Sequence, residues 1–209
     1  MRILILVLPA LIAQAQETRE QRLDAAAKAH DQGRYAEAER LLRAVVAESE
    51  EPDPRDLVLL GDALRAQGPG AGASPVYRRA LEALEKTLGD AHPDLIPAIT
   101  RLARSEARAA PIEAEALLKR ALAIREKLAA SAMDPALAEP VEQLGLFYQM
   151  TARYTQAQDA LLRSLAIRER ALGAEHGDLA AHYHRLAAVF ASQKKDSEAE
   201  FFHQRAVQI

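Results

Sequence analysis

The chain has 209 residues, 27 basic against 30 acidic side chains, no Cys and no Trp. Its length allows one elongated domain or one to two compact ones. Without Cys it can form neither disulfides nor thiolate metal sites, and a net charge of −3 lacks the overall basic footprint of a nucleic-acid binder. Ala occurs 45 times and aromatics make up 4%. This composition favours helix, because Ala, Leu, Glu, Arg and Gln lose least on entering one.

The first element stands apart. MRILILVLPALIAQAQ joins one basic residue to an apolar run, Ile3 to Ala13, and then to Ala13-Gln14-Ala15. This is the order of a secretory signal: a basic start, an apolar stretch and a small-x-small cleavage site. As a helix the run would reach only about 16 Å, short of a hydrocarbon core of about 30 Å. The expectation is a signal peptide over residues 1–15, cut after Ala15, and an exported, periplasmic or extracellular protein. The alternative is an uncleaved N-terminal membrane anchor. No later segment is apolar enough to span a membrane.

Beyond it the chain repeats. Ala80, Ala121, Ser164 and Ala206 recur at steps of 41, 43 and 42. Leu60, Leu102, Leu144 and Leu186 recur at steps of 42, each followed by a small residue: Gly61, Ala103, Gly145, Ala187. GDAHPDL at 89–95 returns as SAMDPAL at 131–137 and GAEHGDL at 173–179. Three anchors in step define one internal period.

Each period predicts two helices, A and B. In the fourth, Val141, Leu144, Phe147 and Tyr148 mark helix A, and Ala157, Leu161, Leu165 and Ile167 mark helix B. Pro93, Asp94 and Pro135 suit the start of helix A, and Gly89 and Gly173 suit the end of helix B. A short turn such as GRY at 33–35 or ARY at 152–154 joins A to B. Five repeats follow, at about 18–51, 54–90, 94–131, 135–173 and 178–209. The first is short, with Ala25 where the others have Leu. The third has lost a residue near Ala109-Ala110-Pro111.

The phrase RALAIRE at 120–126 returns as RSLAIRE at 163–169. It reads as the inward half of helix B. Ala121, Leu122 and Ile124 pack, and Arg120, Arg125 and Glu126 face water or pair at helical spacing.

The Leu-small pair of helix A, the large residue after it (Leu64, Tyr148, Phe190) and the small residues of helix B (Ala38, Ala73, Ala114, Ala157, Ala199) resemble the tetratricopeptide repeat. The period of 42, A-L-x-I-R-E and G-x-x-H-P-D-L are similar to the longer subtype of kinesin light chains and many bacterial repeat proteins. The resemblance covers roughly 18–209. It implies an all-α fold, an α-solenoid of about five helix-turn-helix repeats wound as a right-handed superhelix. The implied activity is that of a non-catalytic scaffold with a protein or peptide partner.

Two features tempt a chemical reading. GPGAGA at 68–73 looks like a phosphate loop, yet the step from Leu60 to Ala73 equals that from Leu144 to Ala157, so its glycines belong to the ordinary A–B turn. His176, His182 and His184 suggest metal, yet His182 and His184 point about 200° apart on a helix, His176 repeats the turn residue His92, and His30 and His203 fall in other repeats. Capping and surface roles are expected for them. No catalytic constellation, cofactor motif or metal site is expected.

Helix A lines the concave side of such stacks. By the resemblance, groove positions are Val58, Asp62 and Arg65 in the second repeat, and Thr100, Arg104 and Arg108 in the third. The fourth repeat gives Glu142, Leu146, Gln149 and Met150, and the fifth His184, Ala188 and Ser192. The arginines would take an acidic side chain or a terminal carboxylate. The chain has no Asn to clamp a ligand backbone, a task left to Gln143 or Gln149. A second reading is self-assembly through helix B at 196–209, whose face of Phe201, Phe202, Ala206, Val207 and Ile209 has no following helix.

Overall fold

The computed structural model describes residues 17–68 and 70–209. The apolar segment 1–15 lies outside them, as does Pro69 of GPGAGA. Among the described residues there are ten α-helices and no strand. They form five hairpins: α1 (Arg19–Asp31) with α2 (Tyr35–Val46), α3 (Pro54–Ala66) with α4 (Ala73–Leu88), α5 (Ile96–Glu106) with α6 (Pro111–Glu126), α7 (Ala138–Met150) with α8 (Tyr154–Leu172), and α9 (Ala180–Ser192) with α10 (Asp196–Gln208). Each helix packs chiefly on the one before and the one after it, so the protein is an α-solenoid with a layer of A helices and a layer of B helices.

Local chemistry sets the helix ends. Thr18 and Gln21 form a capping box at α1, and Asp53 accepts from the Arg55 N–H ahead of Pro54 at α3. Three later A helices are led by one 3-10 turn each: Pro93–Leu95, Pro135–Leu137 and Gly177–Leu179. The side chains of His92, Asp134 and His176 accept from the backbone N–H two residues on. The recurring histidine is therefore a cap, as its sequence position implied. Helices α4 and α8 stop at Gly89 and Gly173, at φ 81° and 90°, a region that glycine enters without steric cost.

The core follows the period. Val141, Leu144, Phe147, Tyr148, Ala157, Leu161, Leu165 and Ile167 are all buried, each large side chain contributing about 1.5–3 kcal/mol by leaving water. The small residue after each helix-A leucine lets helix B close in. A Cβ on Gly145 would sit 2.8 Å from Leu161 Cγ, and one on Gly61 would strike the Tyr77 ring.

Two expectations change. GPGAGA is not an ordinary A–B turn: α3 ends at Ala66 and α4 starts only at Ala73, whereas α7 and α8 are separated by residues 151–153. The glycines, with Gly72 left-handed at φ 78°, replace the first turn of helix B. The polar residues of RALAIRE also do more than pair along their own helix. Arg120 reaches back a whole repeat to Glu85 and the Asp90 carbonyl, and Glu126 receives Arg163 from the next repeat at 3.0 Å. Arg79 and Arg205 hold the same place in their repeats and reach back to the Glu50 carbonyl and to Glu175. The phrase recurs because its arginine fastens each hairpin to the one before.

Candidate partner-binding groove

Helices α3, α5 and α7 lie side by side on one face and line a cleft of about 410 Å³, within the size range of ligand sites. Asp62 and Arg65 enter it from α3, Thr100 and Arg104 from α5, as the repeat register implied. Arg65 and Arg104 are exposed, and neither has an ion-pair partner among the described residues. Arg108 does not line the cleft; it lies past the end of α5, in the turn to α6.

Two of the acidic groove residues are already occupied. Asp62 Oδ1 accepts from the Tyr77 hydroxyl at 2.6 Å, and Arg101 Nε lies 3.1 Å from each Asp62 oxygen. Burial and the neighbouring Asp62 push the Tyr77 hydroxyl well above the usual phenol range. Glu142 is not an open groove side chain. Its carboxylate, 7% exposed, is held by Arg168 at 2.9 Å, by His182 Nδ1 at 2.9 Å and by Arg185. Burial alone would raise its pKa; His182, Arg185 and Arg168 outweigh that and hold it below the usual carboxylate range.

Leu146, Gln149, Met150 and His184 do not line this cleft. Leu146 and Gln149 are half-buried and Met150 is 47% exposed. His184 is exposed but not alone: His203 of the same hairpin meets it edge-on, centroids 4.7 Å apart, so His203 does not belong to a separate repeat. Among the described residues no group of three or more His, Asp or Glu side chains is placed to hold a metal ion.

Sequence reasoning missed Asp94, Glu139 and three cationic or titratable cleft residues, Arg101, His30 and Arg125. Arg101 lies one residue from Thr100 and reads as solvated until α3 is set beside it. His30 comes from α1. Arg125 comes from a B helix, α6, and only the stacking of α6 under α5 and α7 carries it to the concave side.

A family model described as tetratricopeptide repeat matches residues 57–127 and 137–209. Nephrocystin-3 of Xenopus tropicalis is 40% identical over 70 residues, which are 34% of this chain and only 5% of that protein. Among solved structures, the nearly identical TPR-like repeats of a Podosopora anserina chain described as a kinesin light chain are 25% identical. They superpose with a TM-score of 0.74 over 90% of this chain and 92% of theirs. BtubC (BKLC) from P. vanneervenii is 23% identical, with a TM-score of 0.73 over 90% of this chain and 78% of its own. MamA from Desulfovibrio magneticus RS-1 is 16% identical, with a TM-score of 0.63 over 91% and 93%; the last two share the fold alone.

Proposed function

We propose, from the premise that the chain belongs to the tetratricopeptide repeat family, that it is an interaction scaffold whose A-helix groove grips an acidic segment of a protein partner. The observation that carries this reading is the cleft itself: two exposed guanidiniums, Arg65 and Arg104, face it from adjacent A helices without carboxylates of their own. An extended or helical peptide fits a concave stack of this kind. An anionic side chain or a terminal carboxylate would supply the missing charge. The scaffold acts by binding and not by catalysis.

The location we propose is outside the cytoplasm, on the strength of residues 1–15 alone. An intact mass beginning at Gln16 supports it; a full-length mass in the envelope fraction replaces the cleaved signal with an uncleaved anchor, and a full-length mass in the soluble cytoplasmic fraction overturns it. No helix among the described residues is long and apolar enough to cross a membrane.

The test of the groove is cross-linked co-purification with the Arg65→Ala/Arg104→Ala variant alongside. A partner enriched by the native chain and lost from the variant supports the reading. A partner retained equally by both removes it.

One observation favours self-assembly as a second reading. Val207 is 85% exposed, while Leu81 and Leu165, its counterparts, are buried under the next repeat. The expected apolar face of α10 is divided: Phe202 stacks on Phe190 with centroids 5.2 Å apart, and only Phe201 and Val207 stay largely open. Val207→Asp leaves the particle size by light scattering unchanged unless this face associates.

A further inference from the structure

Within the groove reading just given, the repeats supply a template for one part of the ligand. RALAIRE and RSLAIRE align Arg125 with Arg168, one period on, and the A helices align Thr100 with Glu142 in the same way. In the fourth repeat Arg168 leaves its helix and holds Glu142 at 2.9 Å, with Arg185 from the following A helix closing over the same carboxylate. In the third repeat the guanidinium is kept and the carboxylate is gone: Arg125 and Thr100 both line the 410 Å³ cleft. The following A helix offers Gln143 at the place of Arg185. Arg168 and Arg125 are also set alike, each with a shielded, unpartnered Nε. Arg168 spends a terminal nitrogen on Glu142, whereas the Arg125 side chain has no hydrogen-bond or ion-pair partner among the described residues.

The geometry points to a carboxylate subsite: a carboxylate of the ligand takes, between Arg125, Thr100 and Gln143, the place that Glu142 fills in the next repeat. Arg125 supplies the charge, and the Thr100 hydroxyl and Gln143 amide supply neutral donors. The cleft favours an anion of one unit over a denser one. Asp94 and Glu139 also line it, and Asp62 is matched by Arg101, so four arginines face three carboxylates. The carboxylate comes from an Asp or Glu side chain or from a chain terminus; the chemistry is shared.

The test uses the full chain with two probes, followed on the arginine Nε–H resonances. N-acetyl-glutamate amide carries a side-chain carboxylate only, and N-acetyl-glutamine a terminal one only. The expected result is a saturable shift of the Arg125 Nε–H by at least one probe, and the stronger probe names the source. Thr100→Glu rebuilds the internal pair: it keeps the melting temperature and weakens the probe roughly tenfold, the scale of one charged hydrogen bond. Arg125→Gln, followed by calorimetry because that resonance is gone, weakens the probe at least as strongly. If the probes, or an acidic hexapeptide, move Arg65 and Arg104 but not Arg125, and Thr100→Glu binds as well as the native chain, the groove reading stands and the subsite is wrong. If neither the probes nor the hexapeptide move any groove resonance, the groove reading itself fails.

Discussion

Arg101 of α5 points its Nε between the two oxygens of Asp62 on α3, 3.1 Å from each. Arg185 of α9, two periods later, likewise reaches back to Glu142 of α7. These bridges tie successive A helices across the floor of the groove. Arg101→Ala therefore costs about 1 kcal/mol, more than the median surface pair because the carboxylate is half-buried. At this chain length that lowers the melting temperature by about 2–4 °C, read by thermal denaturation at low and high salt. No loss at either salt would mean that the bridge is ornamental.

The Glu142 cluster predicts a larger effect. Glu142→Gln leaves Arg168 and Arg185 without their shared counter-charge and costs roughly 3 kcal/mol, the scale for breaking a buried pair. The acid side of the stability curve changes as well. A carboxylate whose pKa is depressed in the fold adds stability above the unfolded value of about 4.3, and loses it as pH falls through the lower folded value. Glu142 is depressed in this way. Glu115 is held down to about 2 by Lys119 first, with Arg153 and Tyr148 adding to it against burial. Urea titrations between pH 5 and pH 2 read this: Glu142→Gln and Glu115→Gln each flatten the fall.

Close helix approach predicts unequal costs for one substitution. Gly61→Ala pushes a methyl group into the Tyr77 ring and costs about 1–3 kcal/mol by overpacking. Gly145→Ala meets Leu161 at 2.8 Å and costs less. The third repeat carries Ala103 at this position, fully buried in one core with Leu118, and helix propensity returns up to about 1 kcal/mol. Urea midpoints for the pair decide this; equal costs contradict the packing account.

A turn residue predicts the opposite sign. Gly33, Ala152 and Lys194 hold the same place between helices A and B, at φ 73°, 58° and 58°. A Cβ there costs about 1–2 kcal/mol, and the greater unfolded-chain entropy of glycine takes back part of what its removal gains. Ala152→Gly therefore raises stability by about 0.5 kcal/mol, seen as a higher urea midpoint. A lower midpoint refutes it.

Helix pairing, the five hairpins and the buried face of each helix were legible because period and burial are written in the same apolar residues. The family match and the solved structures agree with that reading. The polar half was harder. A 3.6-residue period tells which side of a helix is wet, but not which wet side another repeat will cover. Glu142, Asp62 and Arg125 are all polar at outward positions, and only the stacking decides that the first is enclosed, the second matched and the third carried into the cleft. The long turn at GPGAGA was hidden for a related reason. Its residue count fits either a normal turn with a full helix or a long turn with a shortened one.

The backward-reaching arginines give the array a direction. Arg79, Arg120, Arg163 and Arg205 each bind a group of the hairpin or loop before them. Each hairpin after the first thus brings its own fastener to an acceptor that already exists. Two bridges run the other way, from Arg19 to Asp56 and from Arg78 to Glu106, but the recurring fastener travels with the hairpin that follows, whereas a hairpin grafted in front must supply its acceptor. Repeats exchanged between such proteins will be tolerated along the chain in one sense more readily than in the other.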